Sequence, residues 1–140
     1  MSTQPDLHDL AQLARRSIEP GLQAGADGVA KSAGSCLYAA LVVVLLCKKF
    51  GGYSAIVRGG PEGARDSKGI WRGHYWVEVD VPSAGVFVVD VTADQFGYEP
   101  VVVLALEQAR DRYQPGPQLD VNEAFEDLAQ EFQCRDMVAA

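Results

Sequence analysis

Apolar residues Leu7, Leu10, Leu13, Ala14 and Ile18 recur three or four positions apart, the stripe of an amphipathic helix over residues 6–18. Asp6 stands where a side-chain cap would satisfy the first free N–H groups. From Glu19 to Gly34, four glycines and a proline break any period, which predicts a loop. Cys36 to Phe50 is apolar almost all round, the mark of a buried helix. Lys48 and Lys49 fall in its last turn and Gly51-Gly52 ends it. The period then shifts to two. Tyr53 to Arg58 reads as a strand, and Gly59 to Arg72, with four glycines and a proline, as a loop. Gly73 to Val81 alternates, with Tyr75, Val77, Val79 and Val81 on one face and His74, Trp76, Glu78 and Asp80 on a polar one. Pro82 to Gly85 is a turn and Val86 to Val91 a returning strand, so the two form a hairpin. Val101 to Leu106 adds another strand. Asp120 and Glu123 begin a closing helix whose apolar positions are Val121, Phe125, Leu128 and Phe132. The order is helix, helix, antiparallel sheet, helix: an α+β fold, expected as one domain over residues 1–140.

Composition narrows the function. With 140 residues, 48% apolar and 22% charged, the chain can build one core. A net charge of −7 argues against a nucleic-acid partner, because such binders neutralise phosphates with Lys and Arg. The longest apolar run, Leu37 to Cys47, has eleven residues against the roughly 20 of a membrane span, so no membrane partner is expected. Met1 to Leu10 is polar and lacks a basic start and apolar stretch. Three cysteines make an odd count, and reduced thiols in a cytoplasmic setting are the simpler expectation. Two histidines and scattered cysteines show no metal-ligand spacing. No cofactor is expected.

Cys36 follows Gly34-Ser35 at the mouth of the buried helix. Unpaired N–H groups and the helix dipole there stabilise a thiolate, and the same N–H groups could receive an oxyanion. The plainer alternative is a small hydrophobe at a helix start. Cys47 takes that role outright among Leu45, Leu46 and Phe50; it lies roughly 16 Å along the helix from Cys36, beyond disulfide reach. Cys134 is read as structural. His74 is the candidate partner of a thiolate, since His8 sits on the first helix as a solvated or packing residue. Asp90 is the single charge in an apolar strand, where an unpaired carboxylate is costly and one orienting an imidazole is not. A three-residue hairpin loop at Val81 to Ser83 would set His74 opposite Asp90. A longer loop ending at Val86 would set them diagonally. Each residue also has a bland reading: a surface strand histidine, and an aspartate ending a strand.

Together the pieces are more specific. Gly34-Ser35-Cys36, the stretch Phe50 to Gly59, His74-Tyr75-Trp76-Val77-Glu78-Val79 and Val89-Asp90-Val91-Thr92 stand in order over about 60 residues. This resembles the core of the transglutaminase-like branch of the papain-like cysteine enzymes. The block Asp90 to Phe96, after His74-Tyr75-Trp76, extends the likeness to small bacterial members with H-Y-W and D-x-T-x-x-Q-F. The resemblance implies a papain-like fold with Cys36 as nucleophile, His74 as general acid and base, and Asp90 as orienting carboxylate. The expected activity is a peptidase or amidase, working through a thioester on a protein or peptide amide. Alternatives are a glutamine deamidase, a transglutaminase, or a binding module that kept the scaffold. Trp71, Trp76 and Gln95 are the candidate substrate contacts, Trp76 also as a shield and Gln95 also as a partner of the Asp90 loop.

Overall fold

The computed structural model of the chain describes residues 6–24, 30–31 and 35–139. Gly34, and the side chains of Gln23, Phe132 and Cys134, lie outside the described residues. Helix α1 runs Leu7–Ile18, with the Asp6 carboxylate accepting from the His8 N–H at 2.9 Å. Short strands β1 (Gln23–Ala24) and β2 (Ala30–Lys31) pair within the stretch expected as a loop. Helix α2, Cys36–Leu46, continues into one wider turn over Cys47–Gly51 and stops at Gly52, whose φ of 64° is left-handed. Four strands follow as an antiparallel meander in the order β3 (Ser54–Arg65), β4 (Trp71–Val81), β5 (Gly85–Asp90) and β6 (Val102–Ala105). A short helix α3 (Leu106–Ala109) and the closing helix α4 (Gln118–Ala139) complete the α+β architecture.

The apolar periods explain the packing. Helices α1 and α2 bury Leu7, Leu10, Ala14, Ile18, Ala39 and Val43 against Val57, Val77 and Val79 of the sheet. The opposite face was expected to be polar, and it is not. Trp76, Val88, Phe96, Ala109 and Tyr113 form a second buried cluster there, because the chain beyond β6 folds back over it. His74 therefore lies 1% exposed beneath a protein layer.

Strand β3 also differs from expectation. The glycines between Gly59 and Arg72 do not make a loop, and β3 continues to Arg65 with an irregularity between Gly60 and Ala64. They serve close approach instead. A Cβ on Gly59 would meet the His74 carbonyl oxygen at 2.4 Å, and one on Gly63 would meet it at 2.6 Å and the Trp76 ring at 2.8 Å. Only the stretch after Arg65 turns. There the Asp66 carboxylate accepts from the N–H groups of Lys68 (3.0 Å) and Ile70 (2.9 Å) and pairs with Arg72 at 2.7 Å. The basic residues of that segment are thus partly neutralised within it.

Of the two hairpin registers, the diagonal one forms, through a three-residue loop that lies one position later than expected, at Pro82 to Ala84. Val81 pairs with Gly85 and Val77 with Val89, so Trp76 is the residue across from Asp90 and His74 lies diagonal to it.

Candidate active site

Three elements deliver the predicted side chains. Strand β4 carries His74, the last residue of β5 is Asp90, and Cys36 opens α2. His74 Nε2 lies 2.8 Å from Asp90 Oδ2. That oxygen also accepts from the Tyr113 hydroxyl at 2.7 Å, while Oδ1 accepts from the Thr92 N–H at 3.0 Å and its hydroxyl at 3.3 Å. Every part of the carboxylate is thereby engaged, which is what a charge at 2% exposure requires.

Nε2 is committed to Asp90, so Nδ1 is the nitrogen left for the thiol. Cys36 and His74 border one cleft, and the nearby thiol adds to what raises the pKa of the ring. The Gln95 amide nitrogen lies 3.3 Å from Nδ1 and 3.3 Å from the Thr92 hydroxyl. A charged ring carries protons on both nitrogens, and a half-turn of the amide would then present its oxygen to Nδ1. Gln95, expected as a substrate contact, thus sits on the imidazole itself. Phe96 packs edge-on against the same ring, centroids 4.6 Å apart.

A cleft of about 380 Å³ opens beside Cys36 and is bordered by His74, with walls of Gly60, Pro61, Gly73, Tyr75 and Val121. Cys36 is half-buried, and the Ser35 side chain makes no cap, so the first N–H groups of α2 remain available to an oxyanion. The two tryptophans take other places. Trp71 pairs with Arg65 at the start of β4, and Trp76 is 1% exposed beneath the sheet, its ring 6.3 Å from His74. Neither lines the Cys36 cleft. Trp76 packs instead in the buried cluster with Val88, Phe96 and Tyr113.

Tyr113 is the site residue that the pattern did not mark. It sits in an irregular segment 23 positions beyond Asp90, with no period and no motif around it. Arg15 is a second. At 5% exposure, it donates to the Val91 carbonyl (3.0 Å) and holds the Asp94 carboxylate with two bonds of 2.9 and 3.0 Å. Helix α1 is thereby tied to the turn that follows Asp90. Burial works against the Arg15 charge, and Asp94 and Glu19 together more than compensate, leaving its pKa raised.

Electrostatics reinforce the arrangement. Burial alone would discharge His74, but the charge and hydrogen bond of Asp90, with Cys36 adding to them, push its pKa up to about 9 from 6.5. Burial opposes the Asp90 charge too, and His74, Thr92 and Tyr113 together hold its pKa below the ordinary 3.8. Burial pushes the Cys47 thiol up to about 11, which keeps it inert. No family model, curated protein or solved structure matches the chain. No helix among the described residues is long and apolar enough to cross a membrane, and no group of metal-binding side chains occurs among them.

The pKa shifts carry a stability consequence. A ring whose pKa rises on folding stabilises the fold fully below its unfolded value near 6.5, and that contribution fades as pH climbs through about 9. Asp90, shifted the other way, contributes above 3.8 and loses its contribution as pH falls below that value. The urea midpoint is expected to be highest between these limits. It should fall by the equivalent of about 1–3 kcal/mol between neutral and alkaline pH. His74→Gln should flatten the alkaline limb; an unchanged limb would show that His74 is not the group responsible.

Proposed function

We propose that this chain is a cysteine-dependent amide hydrolase or acyl-transfer enzyme of the transglutaminase-like, papain-like type. The observations that carry the reading are the His74–Asp90 pair with its fully engaged carboxylate and the cleft that Cys36 and His74 share. A buried histidine held charged beside an accessible cysteine suits an ion pair better than it suits packing.

The Cys36 thiolate attacks the carbonyl carbon of an amide, and the oxyanion faces the N–H groups at the mouth of α2. As the C–N bond breaks, His74 gives its proton to the leaving nitrogen, and a thioester to Cys36 remains. Water, or a second amine, then adds to the thioester. Its proton returns to His74 and the C–S bond breaks. Asp90 holds the ring and stabilises its charge throughout. A peptidase, a deamidase and a transglutaminase share these steps and differ in the leaving group or the acceptor.

Intact-mass spectrometry after incubation with a peptide library, quenched in acid, tests the reading. An acyl adduct mapping to Cys36, accompanied by cleaved, deamidated or cross-linked peptides, is the expected result. If no adduct forms and Cys36 alkylates no faster than Cys47, the scaffold is a binding module.

A further inference from the structure

A second cleft, of about 500 Å³, meets the first at Gly73, which lines both. Its lining includes Gln95 and Phe96, the two residues that lie against the His74 ring. It also includes Asp66 and Lys68, from the turn after β3, and Arg72 at the start of β4. The charges there are unequal. Asp66 Oδ1 accepts from the Lys68 and Ile70 N–H groups, and Oδ2 accepts from Arg72 Nε at 2.7 Å. The carboxylate thus anchors the guanidinium by one edge, and the terminal nitrogens of Arg72 make no hydrogen bond among the described residues. The Arg72 side chain is 54% exposed. Lys68 is exposed too, and its ammonium has no ion pair among the described residues.

Two accessible cations against one carboxylate whose oxygens are already engaged make a positive patch in a chain of net charge −7. Such a patch attracts an anion. A carboxylate matches the fork of a guanidinium, and a fork already held by Asp66 loses less freedom on binding. The position of Nδ1 decides which part of a substrate this would be. Nε2 is held by Asp90, so the proton for the leaving nitrogen comes from Nδ1. The Gln95 amide lies 3.3 Å from Nδ1, and Gln95 lines this cleft and not the one beside Cys36. The acyl part stays on the Cys36 sulfur in the first cleft, and the departing amine passes Nδ1 toward the second.

We infer that the second cleft is a subsite for the leaving amine and selects amines that carry a carboxylate, held by Arg72 and Lys68. The inference rests on the proposed cysteine hydrolase. The substrate class is then a peptide with an acidic residue, or a free C-terminal carboxylate, just beyond the scissile amide. As the C–N bond breaks, its electron pair stays on nitrogen. That nitrogen takes the Nδ1 proton and leaves as the amine. A deamidase would release ammonia, which has no carboxylate to place there.

Three dipeptides mimic the released amine: Glu-Ala amide carries its carboxylate on a side chain, Gln-Ala at the C-terminus, and Gln-Ala amide has none. Each is titrated into the whole chain labelled with nitrogen-15, at matched ionic strength. Glu-Ala amide or Gln-Ala should shift the Gly73 and Gln95 amide resonances saturably, with a dissociation constant of roughly millimolar order. Whichever binds tighter names the source of the carboxylate. Gln-Ala amide should bind at least about tenfold more weakly. Lys68→Gln, which breaks no ion pair, should weaken the carboxylate ligand about threefold, and adding Arg72→Gln should weaken it at least about tenfold. Peptides bearing the same three leaving groups should rank alike in kcat/KM, and the double variant should bring their ratios toward one. Equal binding of all three dipeptides, or binding of none, overturns the subsite. An acyl adduct on Cys36 with no preference among leaving groups overturns it too and leaves the enzyme standing. Carboxylate binding with no adduct on Cys36 from any peptide sinks the enzyme and the leaving-group role together.

Discussion

Replacing Cys36 with Ala is expected to abolish turnover, by about 10⁴-fold or more, while shifting the unfolding free energy by less than about 1 kcal/mol. The asymmetry follows from position. Cys36 is half-buried at the first position of α2, so losing one sulfur opens no sealed void, and Ala is a good helix former. The proposed chemistry loses its nucleophile. In the wild-type chain, iodoacetamide at pH 6 should label Cys36 far faster than Cys47, which is 0% exposed with a thiol pKa pushed up to about 11. Tryptic mapping of the labelled sites measures the ratio. A Cys36→Ala chain that unfolds would instead make this residue a packing element, and equal labelling of the two cysteines would remove the case for an activated thiol.

Asp90→Asn should be nearly as damaging, and for two reasons at once. Asp90 accepts four hydrogen bonds through two oxygens, from His74 and Tyr113 on one side and from both donors of Thr92 on the other. An amide keeps one oxygen. Whichever way it turns, its NH₂ faces donors, and at least one buried N–H or O–H loses its acceptor. Turnover should fall by about 10³–10⁴-fold as the imidazole loses its orientation and its counter-charge. The fold should lose about 2–4 kcal/mol, since a buried pair broken from one side leaves an uncompensated charge. Tyr113→Phe is the control: it removes one donor and keeps the carboxylate, so its stability change should be well under half that of Asp90→Asn. Urea denaturation and single-turnover rates on the same samples separate the two effects. An Asp90→Asn chain with full activity would mean that the carboxylate serves only the fold.

These residues differ in how far the sequence announced them. The first helix was legible because Asp6 caps a clean three-and-four pattern, and the hairpin because β4 alternates for nine residues from Gly73 to Val81. Asp90 was legible as a charge in an apolar strand, which demands a partner. The glycines of β3 were misleading. The same residue type permits a turn and permits close approach, and only the His74 carbonyl lying against Gly59 and Gly63 distinguishes the two. The burial of His74 was hidden for a related reason. Strand alternation marks two faces, but whether the polar one meets water depends on where residues 106–113 travel, and local pattern does not contain that route. Tyr113 and Arg15 were illegible outright, because each finds its partner across 23 and 79 positions of chain.

That Arg15 span has a temporal consequence. A polypeptide emerging from the ribosome presents the cysteine early, yet the clasp from the first helix cannot close until residue 94 has been made, nor the phenol reach its carboxylate before residue 113. Nascent chains therefore display a thiol with no partner to arm it. The proposed site is therefore completed only after residue 113 has been made.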